Sequence, residues 1–519
     1  MTALMTIERR SGDETPVDVA NYSRRWWILA VLGIAQLMVI LDGTIVNIAL
    51  PSAQRDLGFS NADRQWIVTA YSLSFGSLLL IGGRIGDMIG RKRALIIGLV
   101  GFAAASAVGG ASVNFAMLVV ARTVQGAFGA LLAPSVLALL TTTFTDPDER
   151  GRAFGIYGAI AGAGAALGLL LGGILTSYAS WRWTLYVNLA FAAAATGGAL
   201  LWLKNERGAQ HDPLDLPGVF LVAGGLFSVV FGFSHADTTS WSNPYTIGFL
   251  VAGVVLLATF AYFETRTTYP LLPPRVVLNR TRGGSLLAML FASVGIFGVF
   301  LFLAYYLQDT LRFSPVKTGI AFLPLVAAIA ATSQLSNQTL LPRFGPKPIV
   351  PVGLLISAAA LFGLHLVGVH TSYASHVLPY SIVLGVGFGL SVAPAFSTGT
   401  LGLAPQDAGV GSATLNTAQQ VGGSIGTALL NTLAASAATS YLVGRTVNPA
   451  NLQAAAVHSY TTTFLWSSGI FVAGAVVAGL VLQRGGLASL APADQTTTAD
   501  TGDEEGPRRQ ICRVPIACR

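Results

Sequence analysis

Two charged side chains lie well inside apolar segments, whereas the other charges gather in the polar stretches between such segments. Asp42 is in the first apolar segment and Arg122 is in the fourth. A charge at the centre of a membrane-spanning helix costs about 2.5–3.5 kcal/mol on insertion scales, so its presence indicates a function. A buried carboxylate can bind and release a proton, and a neighbouring guanidinium favours its ionised form. The two residues predict a proton-coupling site, and a purely structural ion pair is the alternative.

The composition requires a membrane-spanning fold. Of 519 residues, 53% are hydrophobic and only 10% are charged, against about 25% charged residues in soluble domains. No Asp, Glu, Lys or Arg occurs between Pro348 and Gln406, and ~20 apolar residues suffice for one crossing. We therefore expect a multi-pass membrane protein, which excludes a soluble enzyme, a nucleic-acid binder and a disulfide-stapled secreted domain.

Fourteen apolar segments can be delimited, and we expect all of them to be helices because backbone groups in lipid must satisfy their own hydrogen bonds. The +7 net charge is interpreted as basic cytoplasmic loops, because most Lys and Arg residues fall on one side if both termini are cytoplasmic. The expected segments are 26–50, 64–83, 94–111, 115–140, 153–174, 183–203, 216–234, 245–263, 284–308, 317–338, 349–369, 378–402, 410–436 and 461–482.

An internal repeat relates the two halves of the chain. Gly164 and Gly168 in the fifth segment match Gly422 and Gly426 in the thirteenth, both pairs 258 positions apart. Repeats of this kind are typical of secondary transporters, whose substrate site lies between the halves. The repeat predicts five regions: a cytoplasmic N-terminal segment (1–23), an N-terminal six-helix bundle (24–203), two inserted helices with flanking loops (204–283), a C-terminal six-helix bundle (284–484) and a disordered cytoplasmic tail (485–519).

The short loop between the second and third segments carries a spaced set of glycines and charges. Its members are Gly83, Asp87, Gly90, Arg91 and Lys92. Asp87 and Arg91 are four residues apart and pair if the turn is helical. A loop that served only as a topology signal would need the basic residues but not the embedded acid.

This loop resembles the signature of the major facilitator superfamily. Further matches point to its 14-helix drug:proton antiporters, namely Leu41–Pro51, Trp66–Tyr71, the Arg122–Gly126 stretch with Gln125 and Gly126, and Trp181–Asn188. The resemblance implies two pseudo-symmetric six-helix bundles plus two inserted helices, and a cytoplasmic gate at Asp87. It also implies that spans 1 and 4 face each other. Asp42 and Arg122 then lie about 13 Å and about 10 Å below the external face, at 1.5 Å per residue, and can meet.

The fifth segment departs from the antiporter motif of that branch. Gly164, Gly168, Gly172 and Gly173 are present, but Leu169 stands where the motif has proline. The glycines still form a face of small residues suited to close helix contact. The missing proline removes a kink determinant and leaves uptake open as an alternative to export.

Several uncharged polar residues within the segments are candidates for lining a substrate path, although each is more often a helix-to-helix hydrogen bond. They are Asn47, Gln65, Tyr71, Asn416 and Gln419. No phosphate-binding loop, zinc-protease motif or nucleophile elbow is present. We therefore expect no cofactor, no metal site and no enzymatic activity.

The sequence thus predicts an all-α cell-membrane transporter that exports hydrophobic or cationic small molecules, such as antibiotics, in exchange for protons. Its expected partners are the substrate, protons and the lipid bilayer, with no nucleic acid, and we expect it to function as a monomer. An uptake symporter or facilitator is one alternative. A membrane sensor or membrane-embedded enzyme is another, although neither polar end is large enough for a soluble domain.

Overall fold

The computed structural model describes residues 19–60, 63–144, 147–204, 215–238, 241–267, 270–272, 274–401, 403 and 408–485, in part of which only the backbone is described. This part of the chain is helical and contains no strand. Its fourteen long helices are α1 (Val19–Leu57), α2 (Arg64–Ile89), α3 (Arg91–Gly110), α4 (Phe115–Thr143), α5 (Pro147–Tyr178), α6 (Trp183–Trp202), α7 (Leu216–Thr238), α8 (Pro244–Glu264), α9 (Arg280–Tyr305), α10 (Pro315–Leu335), α11 (Pro346–His365), α12 (Leu378–Gly399), α13 (Ala408–Leu442) and α14 (Pro449–Val481).

Each apolar segment expected from the sequence overlaps one of these helices, but several helices run further than their apolar part. α1 begins at Val19, and α14 begins at Pro449 rather than near residue 461. A polar cap explains the start of α14: the side chain of Asn448 accepts a hydrogen bond from the Asn451 amide at 2.8 Å, which satisfies a free donor of the first turn. Eleven helices in the described residues are long and apolar enough to cross a membrane. That all fourteen do so stays a prediction. The expected tail falls outside the described residues, except for Gly485.

Helix packing follows the internal repeat. In the first half, α1 packs on α5 and α6, and α4 packs on α2 and α3; in the second half, α9 packs on α13 and α14, and α12 packs on α10 and α11. The halves meet at two junctions, α2 against α13 and α5 against α10. The repeat pairs α2 with α10 and α5 with α13, so it relates one junction to the other. The hairpin of α7 and α8 attaches through α7 to α2 and α13, so it lies beside one of these two junctions.

The repeated glycines mark the same kind of contact in each half. A Cβ added at Gly168 would lie 3.0 Å from the carbonyl oxygen of Leu41 in α1, and one at Gly426 would lie 2.0 Å from that of Val294 in α9. Both positions place a helix backbone directly against another, which only small residues permit. The sequence repeat is therefore a repeat of packing.

The apolar interior forms two clusters of buried side chains. One joins the halves and includes Ile45 of α1, Phe302 of α9 and Leu325 of α10. The other lies mainly in the first half and includes Leu32 of α1 and Phe102 of α3. Asp42 lies on α1 between Leu32 and Ile45, so its surroundings are apolar above and below.

We predict that Gly426→Ala destabilises the protein, because the added methyl group would overlap the backbone of α9; overpacking of this kind costs about 1–3 kcal/mol. The matched control is Gly197→Ala in α6, where an added Cβ meets nothing within 4 Å and alanine is the better helix former. Thermal unfolding of the purified protein in detergent measures both. Equal unfolding temperatures for the two variants would contradict the packing repeat.

Candidate functional site

The candidate site is a buried polar cluster centred on the carboxylate of Asp42. Arg122 Nη1 of α4 donates to Asp42 Oδ2 at 2.6 Å, and Gln125 Nε2, one turn further along α4, donates to Asp42 Oδ1 at 2.9 Å. Asp42 is 0% exposed and Arg122 is 2% exposed. The sequence expected these two charges at similar depth, and the structure places them in direct contact.

Two residues from other helices complete the cluster. Asn188 Nδ2 of α6 donates to Asp42 Oδ1 at 2.8 Å and to Ser106 Oγ of α3 at 2.9 Å. Ser106 Oγ also accepts from Gln125 Nε2 at 3.0 Å and donates to the carbonyl oxygen of Leu185 at 2.9 Å. Four helices, α1, α3, α4 and α6, therefore converge on one carboxylate.

Arg122 has partners besides Asp42. Its Nη1 also donates to Gln125 Oε1 at 2.7 Å, and its Nε donates to the carbonyl oxygen of Ile67 at 3.4 Å. The ring of Tyr71 lies under the guanidinium, with 4.2 Å between Arg122 Cζ and the ring centroid, which is within cation–π range. The guanidinium would therefore keep a hydrogen-bonded and aromatic environment if Asp42 lost its charge.

The geometry fits an ionised Asp42. Its two oxygens accept three hydrogen bonds from side-chain nitrogen donors, and donors of this kind stabilise the charged form of a carboxylate. Breaking a buried ion pair by removing one partner leaves an uncompensated charge and costs about 3–5 kcal/mol. The contacts of Asp42 therefore suit a carboxylate that is paired with Arg122.

Glycines set the distance between the helices that carry the cluster. An added Cβ at Gly126 of α4 would lie 2.3 Å from the carbonyl oxygen of Tyr71, so α4 and α2 touch next to the Tyr71 ring. On the other side of α1, Gly164, Gly168 and Gly172 of α5 face Ile40, Leu41 and Ile45 respectively. The glycine face expected from the sequence therefore packs against the segment of α1 that carries Asp42.

The remaining glycine of the fifth-helix motif faces the second half. An added Cβ at Gly173 would lie 2.7 Å from the carbonyl oxygen of Pro315 in α10, and one at Gly319 would lie 2.5 Å from that of Leu169 in α5. Leu169 replaces the proline of the antiporter motif, and α5 runs through this position as one helix. The two halves thus contact each other through α5, the helix that also packs against the Asp42 segment of α1.

The loop between α2 and α3 differs from a continuous helical turn. α2 ends at Ile89, Gly90 has φ +95°, and α3 begins at Arg91. The i, i+4 geometry that would pair Asp87 with Arg91 is therefore interrupted, and the side chain of Asp87 lies outside the described part of the structure. Arg91 Nη1 donates to the carbonyl oxygen of Ala138 in α4 at 3.5 Å. An added Cβ at Gly83 would be 3.4 Å from Pro134, an ordinary contact, whereas Gly82, which we did not single out, approaches α4 most closely.

The candidate substrate-lining residues do not form one group. Tyr71 is buried against Arg122 and belongs to the cluster. Asn47 Nδ2 donates to Gly43 O at 3.4 Å and Asn416 Nδ2 donates to Ser412 O at 3.0 Å, both within their own helices. Gln419 is partly buried on α13, and the side chain of Gln65 is outside the described residues. No group of three or more His, Cys, Asp or Glu side chains that could hold a metal occurs within the described ranges.

The family model of the Major Facilitator Superfamily matches residues 32–427. The chain belongs to the Major Facilitator Superfamily. The matched region contains α1 from residue 32 onward, α2 to α12, more than half of α13 and every residue of the Asp42 cluster.

Relatives within the superfamily include proteins named for antibiotic resistance and export. The chain is 48% identical over 461 residues to the puromycin resistance protein of Streptomyces alboniger, covering 88% of this chain and 92% of that protein. It is 36% identical to the tetracenomycin C resistance and export protein of Streptomyces glaucescens, covering 80% of this chain and 76% of that protein. It is 34% identical to the cephamycin export protein of Amycolatopsis lactamdurans, with 78% and 83% covered.

Solved superfamily structures share the fold at low sequence identity. A bacterial homologue of the human lysosomal transporter Spinster, in an inward-facing and unoccupied conformation, superposes with a TM-score of 0.62 at 17% identity, covering 88% of this chain and 97% of that chain. Similarity at this level shows the fold alone. Together with the relatives it identifies the chain as a multi-pass transporter of this superfamily.

Sequence reasoning missed Asn188 and Ser106 as members of the cluster. Asn188 closes the Trp181–Asn188 motif and is a polar residue in an apolar helix. Its polarity therefore indicated a buried hydrogen bond, but the sequence did not identify Asp42 as the acceptor. Ser106 was harder to recognise from the sequence, because serine in a membrane helix commonly donates a hydrogen bond to the backbone of its own helix. Only the rotation of α3 and α6 about their axes brings these two side chains to Asp42.

We predict that the buried ion pair gives a large interaction free energy in a double-mutant cycle. Asp42→Asn and Arg122→Gln should each destabilise the protein, and the double variant should be more stable than the sum of the single effects predicts, because it leaves no uncompensated charge. Thermal or denaturant unfolding in detergent gives the four stabilities. Additive effects would show that the two charges do not depend on each other.

Proposed function

We propose that the protein is a proton-coupled exporter, an antiporter, of small hydrophobic or cationic molecules such as antibiotics. The observation that carries this proposal is the buried contact between Asp42 and Arg122, because it joins an acid that could bind a proton to a cation that would respond to the loss of its charge. The names of the relatives support antibiotics as the substrate class. The proposal includes a cell-membrane location with both termini cytoplasmic, fourteen spans arranged as two six-helix bundles plus α7 and α8, and function as a monomer.

Asp42 cannot carry a proton and form an ion pair with Arg122 at the same time. A proton on Asp42 removes the charge that Arg122 neutralises, so the two groups lose their attraction. Arg122 then relies on Gln125 Oε1, the Ile67 carbonyl oxygen and the Tyr71 ring, which lowers the cost of leaving it buried. Separation is therefore feasible for this guanidinium, whereas an arginine with a single partner would resist it.

Access to Asp42 requires movement of helices, because the carboxylate is fully buried. Rocking of one half against the other provides such movement in transporters built from repeats. Asp42 would take a proton from the external side in one state and release it to the cytoplasm when Arg122 returns. Inward proton movement is driven by the membrane potential, which contributes about 2.3 kcal/mol per charge per 100 mV.

The central test is Asp42→Asn in transport. We expect this variant to lose efflux of a cationic dye such as ethidium, measured in proteoliposomes with an imposed pH gradient, because asparagine cannot exchange a proton. The matched control is Asp56→Asn, which changes the other acid of α1; Asp56 is partly exposed and pairs with Arg182 at 3.0 Å. Efflux by Asp42→Asn that still collapses with a protonophore would move the proton site elsewhere. Dye movement in the same direction as protons would indicate uptake by symport.

Transport should depend on the positive charge at position 122. We expect Arg122→Lys to retain more transport than Arg122→Ala, because an ammonium group can still pair with Asp42 although it lacks the guanidinium fork. Drug susceptibility of cells expressing each variant, corrected for the amount of protein in the membrane, measures the difference. Equal susceptibility of the two strains would contradict a role for the positive charge.

The Asp87 loop gives an independent prediction, which rests on the resemblance to the superfamily signature. Asp87→Asn should leave the protein folded and inserted but strongly reduce transport, because it removes an acid expected to latch one access state. The comparison is with Asp63→Asn, which lies at the other end of α2 and whose carboxylate accepts from Ser60 Oγ at 2.7 Å. Near-normal efflux in Asp87→Asn would reduce the loop to a topology signal.

A further inference from the structure

A basic cavity lies where α1, α3, α4 and α6 end at the expected cytoplasmic face. It has a volume of about 230 Å³ and its lining includes five cations: Arg24, Arg25, Arg91, Lys92 and Lys204. Two hydroxyl-bearing residues at the end of α4, Thr142 and Thr143, also line it. Five cationic side chains around one small cavity repel each other unless an anion is present.

Some of these cations have partners within the described chain. Arg25 Nη1 contacts Glu149 Oε2 at 3.2 Å, and Lys92 Nζ donates to the carbonyl oxygens of Leu200 and Leu203 at 3.3 Å and 2.5 Å. No acceptor within the described chain contacts the charged group of Arg24 or Lys204, and both residues are exposed. Among the described residues, these two side chains have no partner that a ligand would have to displace.

Tryptophans place the cavity at the level of the lipid headgroups. Trp202 lines it and stacks on Trp27, with ring centroids 5.2 Å apart and planes 18° apart. Trp27 is 55% exposed although it is a large apolar side chain at the start of α1. Tryptophan is enriched at membrane interfaces, where its ring lies among the headgroups, so this pair indicates that the cavity opens near the depth of lipid phosphate.

We propose that this cavity binds the phosphate-containing headgroup of an anionic phospholipid, such as phosphatidylglycerol or cardiolipin, from the cytoplasmic leaflet. Basic pockets between membrane helices on this side suit such headgroups. The exposed face of Trp27 offers apolar contact for the adjoining acyl chain. A free phosphate would meet the same cations but would gain nothing from the tryptophan pair, which favours the lipid.

The lipid site would support the proton site through shared helices. The four helices that line the cavity are the four that supply Asp42, Ser106, Arg122 and Asn188. A headgroup held by Arg24 on α1, Lys92 on α3 and Lys204 after α6 would keep their cytoplasmic ends together. Lipid binding would thus stabilise the state in which the Asp42 cluster is assembled.

The test is lipid-dependent thermal unfolding of the full-length protein in an uncharged detergent. Phosphatidylglycerol, cardiolipin, phosphatidylcholine and inorganic phosphate are titrated separately. We expect the two anionic lipids to raise the unfolding temperature, with little effect of phosphatidylcholine or phosphate. In the double variant Arg24→Gln/Lys204→Gln, the anionic lipid concentration for half the effect should rise by roughly tenfold or more, because two headgroup contacts are lost.

The matched control is Arg343→Gln/Lys347→Gln, which removes two positive charges from the same expected face outside the cavity. It should respond to anionic lipid like the wild type, and Arg24→Lys/Lys204→Arg should recover the response if the charges act directly. An unchanged response in the cavity variant, an equal loss in the control, or an equal effect of inorganic phosphate would each overturn the proposal. Because the readout is lipid binding, its failure leaves the proposed proton-coupled export untouched.

Discussion

The structure depends on holding a carboxylate and a guanidinium together in an apolar interior. Moving either charge out of water alone costs several kcal/mol, and the ion pair compensates only when further hydrogen bonds satisfy the remaining atoms. Here Gln125 and Asn188 hold Asp42, while Gln125, Ile67 and Tyr71 hold Arg122. These contacts require four helices at fixed distances. The small residues of α4 and α5 permit those distances, so the glycines of the first half allow the helices to come close enough for these contacts.

The two halves share packing but not chemistry. In the first half, Gly168 of α5 contacts Leu41, and the next residue of α1, Asp42, faces Asn188 of α6. In the second half, Gly426 of α13 contacts Val294, and the next residue of α9 is Gly295, where an added Cβ would lie 2.3 Å from the ring of Phe471 in α14. A phenylalanine fills the space that the polar cluster occupies in the first half. The proton chemistry that we propose therefore lies in the first half of the chain.

The sequence predicted the helices well because a bilayer imposes strong constraints on length and polarity. It also predicted the meeting of Asp42 and Arg122, because residue number gives depth along a helix and the resemblance to the superfamily implied that spans 1 and 4 are neighbours. It did not predict Asn188 and Ser106, because residue number does not give the rotation of α3 and α6 relative to α1. The pairing of Asp87 with Arg91 stays a prediction, because the turn between them is broken at Gly90, which has a positive φ, while the side chain of Asp87 lies outside the described residues.

The central claim is that Asp42 is the group that binds the transported proton. Difference infrared spectroscopy of the reconstituted protein measures this directly, because a protonated carboxyl group absorbs apart from a carboxylate. The account predicts a protonated-carboxyl band that grows as the pH falls in the wild type and in Asp56→Asn, and that decreases when a cationic substrate is added. It predicts that Asp42→Asn lacks this band. An undiminished, substrate-sensitive band in Asp42→Asn would contradict the account.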